Sequence, residues 1–226
     1  MSGTENNKHT LSEHHVIPDV LPEQINLTYD LTVKWPEATL DIPGKELGRE
    51  ETQDEPKVFL SPAPSEPLDN LVLFCIDPDL MMDDDTYFGQ VRHWLYTNVF
   101  TNTDGSLNFE NAAKRSPYIG PAPLPNYLYS RPHRYVFIVA SSSTKVEVTP
   151  EDFRQQQEQY AAALKGKQTE VQDIKDRWGF NAQQLIEKKG LKVEAVNFMR
   201  VGGTLKSAAA NSAMMGQGLL NKVLGK

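Results

Sequence analysis

The chain has 226 residues, with 30 acidic against 23 basic side chains and a net charge of −7. That length suits one well-buried domain. The acidic balance, without any basic tract, excludes nucleic acid or an anionic membrane surface held by charge alone as the partner, and no apolar run approaches the roughly 20 residues of a membrane span.

Residues 1–10 are polar and predict a disordered arm, because they offer too little apolar surface to offset chain entropy. They lack the apolar core of a signal peptide, so a cytoplasmic protein is expected. The lone Cys75 leaves no internal disulfide and suits a reducing compartment. His14 and His15 are adjacent and point apart on any regular backbone, so no metal site is expected there. From Ile25 the sequence alternates, with Leu27, Tyr29, Leu31 and Val33 on one face, which predicts a half-buried strand. The acidic stretch Glu46 to Glu55 predicts a solvated loop. Val58-Phe59-Leu60 and Leu71 to Ile76 are further strands, and Pro62, Pro64 and Pro67 exclude a helix between them.

His93 to Phe100 and Arg134 to Ala140 are rich in β-branched and aromatic residues and predict central strands. Val146-Glu147-Val148 extends the strand pattern. Thr149-Pro150-Glu151-Asp152 then supplies a cap, a proline in the first turn and acidic charge, predicting a helix to about Lys165 with a stop at Gly166. A second helix is predicted from the cap Asn181 to Lys189, ended by Gly190, and a last strand follows through Leu191, Val193 and Ala195. Residues 201–226 read as a mobile or weakly helical tail, leaving 11–200 as the domain.

Three strand mouths carry the chemistry. Asp77-Pro78-Asp79 ends the run at Leu71–Ile76, His93 opens the next strand, and His133 opens the third with Tyr135 behind it. If the strands share a sheet, these groups converge. Two histidines supply N–H donors that suit a phosphate or carboxylate, and a neighbouring carboxylate fixes a histidine's tautomer and raises its pKa. Asp77 is assigned that supporting role, and Asp79 could meet a cationic head group. The simpler reading has Asp77 capping the turn at Pro78 and each histidine as an interior residue. Asp83-Asp84-Asp85 lacks the spacing of a calcium loop and reads as solvated.

Asp-Pro-Asp, His-Trp-Leu-x-x-Asn at His93–Asn98, and Gly120-Pro121-Ala122-Pro123 followed by His133-Arg134-Tyr135-Val136-Phe137 resemble the phosphatidylethanolamine-binding protein family. That family includes Raf-kinase inhibitor proteins, plant flowering regulators and fungal inhibitors of vacuolar carboxypeptidase; Ile17-Pro18-Asp19-Val20 and Gly-Pro-Ala-Pro-Leu-Pro-Asn look most like the fungal branch. The resemblance implies a mainly β fold, a central antiparallel or mixed sheet packed on a smaller one with peripheral helices. It also implies a small anion pocket for phosphate head groups made by Asp77, Asp79, His93, Pro121, Ala122, Pro123, His133 and Tyr135. Met81 stands where the family usually has a pocket proline, which implies a wider pocket or one partly filled by Met81.

No nucleophile elbow, His-Glu-x-x-His or phosphate-binding glycine loop is present, so no catalytic residue, cofactor or metal is expected. The expected function is non-enzymatic: a binding protein that takes a phospholipid head group or other small anion and restrains a protein partner, a serine carboxypeptidase or a signalling kinase. The alternatives are a structural subunit of a larger assembly, such as a mitochondrial ribosome, and a hydrolase using the His/Asp pocket.

Overall fold

The computed structural model describes residues 3–79, 89–123, 131–158 and 177–203. Two sheets lie against each other. The smaller has three antiparallel strands in the order β2-β1-β4, where β1 is Asp30–Lys34, β2 Thr39–Leu40 and β4 Lys57–Ser61. The larger runs β3-β10-β9-β5-β6-β7, with β8 also paired to β6. Here β3 is Lys45–Glu46, β5 Leu71–Asp77, β6 Val91–Thr101, β7 Leu107–Asn108, β8 Ala113–Ser116, β9 His133–Ser141 and β10 Lys192–Val201. Only β3 against β10 is parallel among these pairings, so the sheet is mixed, as expected.

The large sheet is buried on both faces, which explains why β5 is apolar throughout rather than alternating. Leu71, Leu73 and Cys75 face the small sheet, with Trp94, Tyr135, Phe137, Leu31 and Val58 in the same core. Val72, Phe74 and Ile76 face the other way, toward the N-terminal segment and the helices. The small sheet buries one face only, so β1 and β4 do alternate.

The helices α3 (Pro150–Glu158) and α4 (Ala182–Lys189) cover that second face. Asp152 accepts the Thr149 backbone N–H at 2.9 Å, closing the first turn of α3; its expected end near Lys165 lies outside the described residues. α4 is capped as its sequence predicts. The Asn181 side chain accepts the Gln184 N–H at 2.9 Å, and Gly190 ends the helix at φ 60°.

Four expectations need correction. Residues 3–10, expected to belong to a disordered arm, are instead helical: α1 spans Gly3–Glu13. Its anchors are Leu11, fully buried in the core, and hydrogen bonds from Asn7 to Asp30 and from Lys8 to the Ile25 carbonyl. A helical turn, α2 (Val16–Asp19), follows it with Val16 and Ile17 buried. The strand expected from Ile25 begins only at Asp30, because the Thr28 and Tyr29 N–H groups both turn to the Glu194 carbonyl. Val146–Val148 forms no strand. The backbone of Val146 instead bonds the side-chain amide of Asn98, at 2.7 Å and 3.2 Å. The stretch Glu46 to Glu55 contains a 3-10 turn at Glu50–Thr52 that buries Thr52 completely. Met81, Asp83–Asp85 and the tail from 204 lie outside the described residues. Among the described residues no helix is long and apolar enough to cross a membrane.

Candidate functional site

The order β9-β5-β6 with antiparallel pairing brings the end of β5 beside the starts of β6 and β9. Asp77, His93 and His133 therefore meet at one end of the sheet. Simple alternation would not aim all three inward. In β6, Trp94 pairs with Cys75 and Arg92 with Ile76, so His93 is an extra residue in a β-bulge. The bulge lets His93 look toward Tyr135, on the small-sheet side, while Arg92 turns to the helix side and lies over Phe153. A second bulge holds Asn98, the last residue of the His-Trp-Leu-x-x-Asn motif, at φ 61°. Its motif role is structural, pinning Val146.

Asp77 does two things at once. Its Oδ1 accepts the Asp79 N–H at 2.8 Å, the turn cap of the simpler reading. Its Oδ2 accepts from His133 Nδ1 at 2.9 Å. Burial alone would push the Asp77 carboxyl up, but the charge and hydrogen bond of His133, with help from His93 and the Asp79 N–H, hold it below the usual carboxylate value. Burial likewise disfavours a charged His133, yet the carboxylates of Asp77 and Asp79 raise its pKa above that of a free imidazole.

His93 behaves oppositely. Its burial dominates, opposed only in part by Asp77 and by the hydrogen bond to a carbonyl, so its pKa falls and the ring is neutral at neutral pH. Nδ1 sits 2.8 Å from the Ile119 carbonyl, which requires the proton on that nitrogen. Both histidines thus commit Nδ1 to a protein acceptor, and Nε2 is the atom with which either can meet a ligand. His133, whose raised pKa favours the protonated ring, offers a donor there in that form; the neutral His93 offers an acceptor. Tyr135 lies between them, edge-on to His93 at 5.0 Å and stacked on His133 at 6.5 Å. Burial and then the Asp77 charge push its phenol well up, so it stays neutral.

The Gly-Pro-Ala-Pro segment is tied to the same groups. Ile119 N–H bonds the His93 carbonyl at 2.9 Å, Pro121 O accepts from Gln53 Nε2 at 3.0 Å, and the Ala122 backbone hydrogen-bonds Tyr135. Gly120 is needed for close approach, since a Cβ there would lie 2.8 Å from the Gln53 Cα. Pro121 and Pro123 are buried, with Ala122 half-buried between them.

Asp79 is not positioned to take a cationic head group. It is 1% exposed, and its carboxylate accepts the Arg134 backbone N–H at 2.8 Å, Arg134 Nε at 2.9 Å and Nη2 at 2.7 Å. Arg131 adds a contact at 3.2 Å. Arg134 then reaches the N-terminal segment, at 2.9 Å from both the Asp19 carboxylate and the His14 carbonyl. Arg134, Arg131, Ile119 and Gln53 escaped the sequence reading. Arg134 was visible inside the His-Arg-Tyr motif, but nothing local pairs it with an aspartate 55 residues earlier.

Cys75 is buried, and burial together with the Asp77 charge pushes its thiol well above the ordinary value, so it is no nucleophile beside this site. Among the described residues no group of three or more His, Cys, Asp or Glu side chains is arranged to hold a metal ion.

The family model described as phosphatidylethanolamine-binding protein matches residues 26–175. No curated protein matches the chain. Among solved structures it is similar to a carboxypeptidase Y inhibitor complexed with its cognate proteinase, with a TM-score of 0.63, 17% identity, and coverage of 89% of this chain and 97% of that one. A phosphatidylethanolamine-binding protein from Plasmodium vivax gives 0.60 and 19%, covering 88% and 98%. One from Plasmodium falciparum gives 0.52 and 18%, covering 85% and 95%. At these identities the likeness is one of fold.

Proposed function

We propose that this chain, which belongs to the phosphatidylethanolamine-binding protein family, is a cytoplasmic, non-enzymatic regulator that holds a phosphate-type anion between His133 and His93 and restrains a protein partner. The observation that carries the reading is the Asp77–His133 pair, buried, 2.9 Å apart, with the imidazole pKa raised. A carboxylate behind Nδ1 keeps the ring charged and oriented, so Nε2 presents a charge-assisted donor to whatever enters. Asp77 itself stays on the far side of the ring from the ligand, which limits repulsion.

His93 sets the selectivity. Its neutral Nε2 accepts a proton, so it favours a phosphate that still carries a hydroxyl, or else takes up a proton when a dianion binds. The ligand is accordingly a phosphomonoester, either soluble or the head group of a phospholipid such as phosphatidic acid, or a phosphorylated group of a partner protein. The partner we favour is a serine carboxypeptidase, because a carboxypeptidase Y inhibitor has the same fold; a signalling kinase is the second choice, from the family resemblance.

The test is an inhibition titration of purified chain against a serine carboxypeptidase. Inhibition that saturates at equimolar ratio supports the reading. Turnover of a substrate by the chain itself, lost when His93 or Cys75 is replaced, overturns it.

A further inference from the structure

We propose that Arg177 is a positioning residue of the anion pocket: its guanidinium clamps the His93 bulge against the segment 117–119 and so fixes how His93 presents Nε2 to a ligand. The inference rests on the anion-pocket reading and adds to it a residue that itself touches no ligand. Arg177 is 6% exposed and donates along one side of the bulge. Nη1 reaches the carbonyls of Arg92 and His93 at 3.2 and 3.0 Å, and Nη2 the carbonyl of Pro117 at 2.8 Å. Its own backbone carbonyl accepts the Arg92 N–H at 2.8 Å, so main chain and side chain grip the bulge together. A bulge takes residues out of the regular ladder, and their buried carbonyls then need other donors. A planar guanidinium fork spans such acceptors at fixed spacing, which the point charge of a lysine does not.

The clamp matters because of what holds the His93 ring. Nδ1 donates to the Ile119 carbonyl at 2.8 Å, while the Ile119 N–H returns to the His93 carbonyl at 2.9 Å. That carbonyl therefore accepts from Ile119 and Arg177 together. Pro117 and Ile119 are both exposed and lie in no strand or helix, so packing alone does little to hold the acceptor in place. Tyr118 anchors the segment on one side, its hydroxyl donating to the Thr52 carbonyl at 2.8 Å, and Arg177 ties it to β6. With the Ile119 carbonyl held, the neutral ring keeps its proton on Nδ1 and leaves Nε2 as an acceptor. With that carbonyl loose, both tautomers are open, and Nε2 is a donor part of the time. The charged groups around His93 are Asp77, which raises its pKa, and Arg177 and His133, which lower it; burial lowers it most.

The experiment uses the full chain and reads the imidazole itself, by nitrogen-15 NMR across pH without ligand. Arg177→Lys keeps the charge but cannot span the carbonyls; Arg177→Met removes both charge and donors. In both variants neutral His93 should change from the Nδ1–H form to a mixture with the Nε2–H form. Its pKa should rise in Arg177→Met, where a neighbouring cation is lost, by more than in Arg177→Lys. Phenyl phosphate should bind both variants about tenfold more weakly than wild type, the scale of loss when a partner that orients a metal-ligating imidazole is removed. A role confined to stability would lower the urea midpoint and leave the tautomer and pKa of His93 alone. Should neither variant fold, the wild type decides. A clamp that strengthens anion binding is strengthened by it in turn, so the Arg177 guanidinium protons should exchange with water more slowly at saturating phenyl phosphate. A His93 tautomer unchanged in both variants, or Arg177 exchange that the ligand does not slow, overturns the proposal. Failure of the wild type to bind phenyl phosphate counts against the pocket reading alone, because the ligand-free titrations decide the clamp.

Discussion

Replacing Asp77 by Asn removes one charge and little else. Asn can still accept the Asp79 N–H that Oδ1 accepts now, at 2.8 Å, so the turn at Pro78 keeps its cap. What disappears is the ion pair with His133, 2.9 Å long between side chains only 5% and 15% exposed. A charge-assisted hydrogen bond of this kind contributes about 1.5–3 kcal/mol, against about 1 kcal/mol for the neutral bond an asparagine would make, so the net loss is about 0.5–2 kcal/mol. The His133 pKa should fall below the ordinary value of 6.5, because burial, which already pulls it down, is then opposed only by the more distant Asp79.

The sign of the stability effect follows from both partners. A raised His133 pKa contributes stability fully present below the unfolded value of 6.5 and lost as pH rises through the folded value. A lowered Asp77 pKa contributes stability present above 3.8 and lost as pH falls through its folded value. The variant should therefore be most destabilised between those limits and approach the wild type in alkaline solution. Anion affinity should cross over. At low pH the variant, relieved of the Asp77 charge, binds at least as well as wild type; between its own lowered His133 pKa and the raised one of the wild type it binds about tenfold more weakly, since about 1.4 kcal/mol is a factor of ten. Proton NMR of the imidazole across pH, with urea unfolding at matched pH, makes the measurement. A His133 titration that does not move, or moves up, would falsify the assignment of the pair.

His133→Ala should remove the anion from this pocket while leaving the fold intact, read as loss of the shift of His93 on phosphate addition. Phosphate binding by the wild type near neutral pH should take up protons, seen as a dependence of calorimetric heat on buffer ionisation enthalpy, with His93, neutral at that pH, as an acceptor. Arg134→Met should cost about 3–5 kcal/mol, since it removes the buried guanidinium and leaves Asp79, among its described partners, with half-exposed Arg131 and the residue-134 backbone N–H. Hydrogen exchange should accelerate first in α1 and α2, which Arg134 holds through Asp19 and the His14 carbonyl. Gly120→Ala should cost about 1–3 kcal/mol through the clash with Gln53 and weaken anion binding by shifting Ala122 from Tyr135.

The uneven legibility of the sequence has physical causes. A continuous apolar run ending in Asp-Pro-Asp identified β5 as a strand, which the structure buries on both faces, and the capping chemistry at Asn181 and Gly190 fixed α4 to the residue. Local signals with local causes survive in one dimension. The bulge at His93 does not, because register depends on which residues of β5 stand opposite, and without it only the family resemblance puts His93 and Tyr135 in one pocket. Asp79 was misjudged for a similar reason. Its partner Arg134 is remote in sequence, and only the fold decides whether a carboxylate faces ligand or guanidinium. The polarity of residues 1–10 concealed α1, whose order comes from Leu11 and from contacts to Ile25 and Asp30, not from its own propensity.

The most direct test of the central claim is a nitrogen-15 NMR titration of the two imidazoles with phenyl phosphate. The account predicts that Nε2 of His133 and Nε2 of His93 shift together and saturate at one equivalent for that pocket, while both Nδ1 resonances stay protonated and hydrogen-bonded. Shifts confined to one histidine, or none at saturating ligand, would contradict it.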